Sequence, residues 1–219
     1  MKSAAWSDHL ESIARPVLAE TPLFAESSPA DALAFVDGFA DELGHRRRVD
    51  RPLLLRLLGL NGHLPEKKPG SVDESIWWAL HAGETMDGFI EPGPGPIIGQ
   101  AEFASGAIET TTETELSSLH ALARHACESQ NDLLRDRCED AARWHVDTLQ
   151  PDNGTNHPWA IHAFVWLAES DPEYAASGSL HAECLLHNSI VRTGRPDRFS
   201  ACVLLDASRA LAKRSETTG

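Results

Sequence analysis

The chain has 219 residues, 42 % apolar and 24 % charged, enough for one globular domain with a real core. Its 33 acidic and 19 basic residues leave a net charge of −14, which excludes a general nucleic-acid binder, since such a protein needs a basic face to displace counterions. The longest apolar run, Trp159 to Ala168, is ten residues and contains His162, far short of the roughly 20 that span a bilayer, so no membrane partner is expected.

The first residues, MKSAAWSDHLES, lack an apolar stretch and are read as no signal peptide. Cys127, Cys138, Cys184 and Cys202 form no C-x-x-C pair. A cytoplasmic protein with reduced, mostly buried thiols is the expectation.

Ala, Leu, Glu and Arg dominate and period-two β-branched runs are absent, so the reading is all-α. The predicted helices are, in order, Ser3 to Glu20 (interrupted at Pro16), Pro29 to Leu43 capped by Ser28, and Val49 to Leu60 stopped at Asn61-Gly62. Val72 to Asp87 follows, capped by Ser71. Residues 91–109, rich in Gly and Pro, read as a long irregular loop, a class that is often functional. After it come Thr112 to Gln130, opened by a Thr112-x-x-Glu115 capping box, and Asp132 to Leu149. A loop at 151–158 precedes Trp159 to Ser170, then Pro172 to Thr193, and Pro196 to Lys213. Residues 1–28 are expected to form a peripheral helix, 29–213 helical hairpins, and 214–219 a frayed tail, all in one domain.

Leu80-His81-Ala82, Leu119-His120-Ala121 and Ile161-His162-Ala163 recur 39 and 42 residues apart. A period near 40 with two helices per period is that of helical-hairpin repeats. Trp159 to Ala168 is apolar on every side and must be an inner helix. The helix from Asp132 has a single apolar stripe (Leu134, Cys138, Ala141, His145, Leu149) and must be outer.

The junction Leu149-Gln150, Pro151-Asp152-Asn153-Gly154, His157-Pro158-Trp159 resembles the inter-helix turns of α/α-toroid proteins such as terpene cyclases, prenyltransferases and several carbohydrate-active enzymes. The resemblance implies an α/α toroid with a site at the inner-helix rim. The chain lacks a D-x-D-D motif and is short for a six-hairpin ring, so an incomplete toroid or a short solenoid is expected.

The same stretch concentrates chemistry. Gln150, Asn153 and Asn156 suit ligand hydroxyls, Trp159 suits a sugar face, and His145 and His162 flank the loop by one turn. Plain turn and capping chemistry explains much of it, but does not require His157 beside Trp159. Glu113, Glu115, Asp152 and His157 are the acid–base candidates, and His120 joins the ligand-binding set. His81, His120 and His162 would converge in a toroid, either on a pocket or as satisfied core histidines.

Glu183 with His187, spaced i and i+4, and His120 with His162 are the residues that a divalent metal would use; no cofactor is otherwise implied. Asp206, on the apolar stripe Phe199, Cys202, Val203 and Ala210, needs a cationic or His partner. His45 to Arg48 with Arg51 form the one basic cluster. Three readings follow: a protein that binds or processes a small molecule or glycan, a non-catalytic scaffold for a protein partner, and a metal-dependent enzyme.

Overall fold

The computed structural model describes residues 2–60, 70–84, 86, 93–99, 107–149 and 157–218. Among these it has helices and no strand. The helices are α1 (Ser3–Leu18), α2 (Pro29–Gly38), α3 (Asp50–Leu57), α4 (Val72–Ala82), α5 (Ile108–Ser129), α6 (Asp132–Thr148), α7 (Ile161–Ser170), α8 (Ala175–Ile190) and α9 (Arg198–Thr218). None of them is long and apolar enough to cross a membrane.

Several boundaries follow local chemistry. Ser28 forms a reciprocal capping box with Asp31, with Pro29 in the first turn. Ser71 accepts from the Glu74 amide and Asn131 from that of Leu134. Gly83, at φ 70°, closes α4 where a side chain at that angle would be strained, four residues before the predicted end.

Others were set by tertiary contacts. α5 begins at Ile108 behind Ala107, which offers no side-chain cap, so Thr112-x-x-Glu115 lies inside the helix and is no capping box. Residues 214–218, expected as a frayed tail, continue α9, and the Arg214 guanidinium lies 5.1 Å from the Trp166 ring centre. α1 keeps Pro16 inside it, because Trp6, Leu10, Ala14 and Leu18 are all buried. It is not peripheral: it packs along α9, where Ser7 Oγ donates to the Ser208 carbonyl at 3.0 Å.

Five helices form a cycle of contacts. α3 meets α4, α4 meets α5, α5 meets α7, α7 meets α9, and α9 returns to α3. Their N-terminal ends lie together, since Val49, Ser71, Glu109, Trp159 and Phe199 border one cleft. The helices run parallel from there. Trp77 Nε1, midway along α4, donates to Ser117 Oγ, midway along α5, at 3.1 Å. Arg209, late in α9, donates to the Leu57 carbonyl at the end of α3.

The outer helices run the other way. Ser3, at the start of α1, bonds Glu169 near the end of α7. His145, late in α6, reaches Glu115, early in α5. On α8, His181 stacks on Phe164, whereas the Cα of Gly178 comes close to Ala168. The inner segments 115–124, 161–167 and 199–208 are buried continuously; for 161–167 the apolar-all-round pattern requires it, and in the other two the polar side chains are buried as well. α6 and α8 bury one face each.

Candidate functional site

The five N-terminal ends surround a cleft of about 510 Å³. Trp159 and Phe199 lie beneath it, with ring centres 5.4 Å apart. Arg47 and Arg48, from the turn entering α3, form one side. Ser71 and Asp73 come from the first turn of α4, and Glu109, Thr110, Glu113 and Thr114 from the first turns of α5. Glu109 and Glu113 are i and i+4, as are Thr110 and Thr114, so one face of α5 presents all four.

Of the predicted site residues, Glu113 and Trp159 line this cleft and His157 lies directly behind it. Trp159 Nε1 donates to Glu113 Oε1 at 2.7 Å. Trp159 is only 1 % exposed, held between Trp77, His120 and Phe199 at 5.2 to 6.0 Å. It does not offer an open face for stacking. It closes the floor and fixes one oxygen of Glu113, a residue that lines the cleft.

His157 is buried between the cleft and α9. Arg47 Nε donates to its Nε2 at 3.3 Å, and its Nδ1 lies 3.1 Å from Ser200 Oγ. A ring nitrogen that accepts carries no proton, so Nδ1 holds the hydrogen and donates to Ser200. Ser200 is therefore not activated as a nucleophile, and the accepting lone pair of His157 is committed to Arg47. Burial holds the His157 pKa below the usual imidazole range, against the pull of Glu113 and Asp197.

Glu115 is not in the cleft. Its fully buried carboxylate accepts the Ile97 and Ile98 amides at 2.7 and 2.8 Å and faces His145 Nε2 at 3.3 Å. Arg137 donates to the Gly95 and Pro96 carbonyls at 2.8 and 2.6 Å. Together they tie residues 93–99 to α5 and α6. Glu115 and His145 thus anchor a loop rather than contact a ligand.

His120 and His162 meet in the core, ring centres 4.4 Å apart, below Trp159. His81 does not join them; it packs on Trp78. The Ala160 amide donates to His120 Nδ1 at 3.1 Å, so Nε2 carries the proton and donates to Asp206 Oδ2 at 3.0 Å. Burial lowers the pKa of His120, and more strongly that of His162. Burial alone would raise that of Asp206, but Arg124, 3.4 Å away, and His120 overcome it and hold it far below the carboxylate range. The cationic or His partner that Asp206 needed is this pair.

The proposed metal ligands are not assembled. Both nitrogens of His120 are engaged, and Glu183 and His187 are exposed on α8. Among the described residues, no group of three or more His, Cys, Asp or Glu is placed to hold a metal ion. Gln150, Asp152, Asn153 and Asn156 lie outside the described residues. All four cysteines are free thiols; Cys138 and Cys202 are buried, and Cys127 and Cys184 half-buried.

Arg47, Arg48, Asp73 and the α5 threonines were not among the predicted site residues. The available signal was the basic cluster, two of whose five members are taken up by Asp37: Arg51 pairs with its carboxylate, and Arg46 donates to its carbonyl. A second cleft, of about 630 Å³, lies where the end of α5 meets the start of α6, against Trp166 and Arg214. It contains none of the predicted residues. No family model, curated protein or solved structure matches the chain.

Proposed function

We propose that this protein binds a small polyhydroxylated ligand, a glycan or sugar-like molecule, in the rim cleft, with Glu113 as the group that accepts or donates a proton if the ligand is turned over. The observation that carries the reading is the cleft's composition. Carboxylates, hydroxyls and guanidiniums ring an aromatic floor at the shared N-terminal end of the inner helices. Carboxylates and guanidiniums offer several acceptors and donors, which satisfy ligand hydroxyls in pairs, while the ring edges meet its apolar parts. The cyclic order of α3, α4, α5, α7 and α9 supports reading the fold as a short α/α toroid.

The scaffold reading has less behind it. The exposed large apolar residues of the described chain, such as Leu43, Leu133 and Leu180, are spread over a loop and two helices.

The test is a binding screen by calorimetry against neutral sugars, amino sugars and uronic acids at up to about 10 mM, since sites of this kind begin near millimolar affinity. Wild type is compared with Glu113→Gln and Arg48→Ala. The reading expects saturable binding by at least one class, weakened about tenfold or more by Glu113→Gln through loss of a charge-assisted hydrogen bond. Absence of binding, or binding indifferent to both substitutions, overturns it.

A further inference from the structure

Arg47 reaches the cleft from a turn, and three contacts hold it: Asp41, His157 and the Phe199 ring, whose centre lies 5.8 Å from the guanidinium carbon. The Arg47 Nη2 lies 3.5 Å from Asp41 Oδ2. Asp41 Oδ1 is already occupied by the His45 and Leu43 amides, so Asp41 chiefly shapes the turn. The angle of the guanidinium is set by the second contact, Nε to His157 Nε2. His157 is itself braced by Ser200, whose amide is held by the Asp197 carboxylate at 2.7 Å. A chain of contacts thus runs from the start of α9 through an imidazole to a cation at the cleft mouth.

We propose that His157 is a positioning residue that holds Arg47 across the cleft only while its imidazole is neutral, so that capture of ligand at this rim weakens on acidification. The proposal rests on the cleft being the ligand site. The physical reason is that Nε2 has one lone pair. A proton placed there removes the acceptor and sets two cations 3.3 Å apart. Arg47 must then turn away.

The groups facing this pair come from every adjoining element. Glu113 on α5 and Asp197 before α9 favour the protonated ring, as does Asp41. Arg47 and burial against Phe199, 4.9 Å away, oppose it, and burial dominates. His45, whose Nδ1 lies 3.6 Å from the same Asp41 Oδ2 that Arg47 faces, and Asp50, in the first turn of α3, are the other titratable neighbours. Asp50 Oδ2 accepts the Arg47 backbone amide at 2.5 Å, so it acts on the backbone rather than the guanidinium.

The test uses the free protein, so its failure is distinct from failure of the ligand reading. Nitrogen-15 NMR reports the tautomer of His157 and the exchange of the Arg47 Nε proton. The expected result is an Nδ1-protonated His157 at neutral pH, with the protection of Arg47 Nε–H, measured against the intrinsic exchange rate at each pH, falling about tenfold as the ring titrates, the size of one lost hydrogen bond. The same midpoint is expected in Asp50→Asn and in His45→Gln, which remove the other titratable groups. His157→Gln, whose carbonyl can accept from Arg47 without titrating, should retain that protection at all pH values. An Nε2-protonated His157, or Arg47 exchange that ignores the His157 titration, overturns the proposal.

Discussion

Replacing Glu115 by Gln should unfasten the loop at 93–99 while leaving the cleft's own carboxylate untouched. The wild-type carboxylate is fully buried and gives one oxygen to each of two adjacent amides, Ile97 at 2.7 Å and Ile98 at 2.8 Å. A glutamine offers one oxygen and one NH2. One of the two amides must then face a donor. A hydrogen bond to a charged group contributes about 1.5–3 kcal/mol, and a buried donor left unsatisfied costs about 1–3 kcal/mol. The substitution should therefore cost about 2–4 kcal/mol, and Glu115→Ala, which orphans both amides and leaves a void, about 4–6 kcal/mol. Glu113→Gln is the contrast. It keeps an oxygen for Trp159 Nε1 in a half-buried position, so its stability cost should stay below about 1 kcal/mol. Urea denaturation at pH 7 reads these differences as shifts in midpoint at constant slope, and hydrogen exchange should show lost protection at Ile97 and Ile98. If Glu115→Gln stays within about 0.5 kcal/mol of wild type with both amides protected, the anchoring role is wrong.

Three further outcomes follow from particular contacts. Asp206→Asn should cost about 3–5 kcal/mol, because Arg124 and His120 lose a buried acceptor. The folded-state pKa of Asp206 is depressed, so its contribution is complete above the unfolded carboxylate range and lost as pH falls; the variant should show a flatter acid limb in thermal melts. Burial raises Asp50 to about 7, the opposite sign. The Asp50 contribution to stability should fall as pH rises from about 4 to 7, read as the difference between wild type and Asp50→Asn, which keeps an oxygen for the Arg47 amide and should be more stable than wild type at pH 8 by on the order of 1–4 kcal/mol. Gly178→Ala would place a Cβ 3.0 Å from the Phe164 carbonyl and 3.2 Å from Ala168 Cβ. The strain of separating α7 from α8 should exceed the helix-propensity gain of about 1 kcal/mol, giving a net loss of roughly 1–2 kcal/mol; a more stable variant would refute that close approach.

What the sequence disclosed was mostly periodicity. The all-round apolar run of α7 and the single stripe of α6 sort inner from outer helices before any coordinates, because burial of a face is written in which positions are apolar. Glu113 and His157 among the acid–base candidates and Trp159 among the ligand-binding ones meet because they sit at two helix starts that the same end of the cycle brings together. Glu115, expected as an acid–base group, lies outside the cleft and carries two backbone amides, and a carboxylate in that position looks the same in sequence as one that faces a ligand. The same applies to His120, whose role depends on the Ala160 amide, 40 residues away. Arg47 and Arg48 went unselected because a run of four basic side chains gives no sign of which ones fold over a cleft and which face water. An interruption of α1 at Pro16 was expected; the burial of Trp6 and Leu10 on a helix packed along α9 outweighs one lost backbone bond.

The most direct test of the rim site maps where a ligand sits. Threonine methyl groups give isolated NMR signals, with Thr110 and Thr114 in the rim cleft, and the Gly83 amide at the far end of α4 is a remote control. Titration with the sugars and uronic acids of the binding screen should move Thr110 and Thr114 saturably and leave Gly83 still. Shifts absent at about 10 mM, or Thr110 and Thr114 unmoved while amides near Trp166 and Arg214 respond, would contradict the central claim and transfer it to the second cleft or to none.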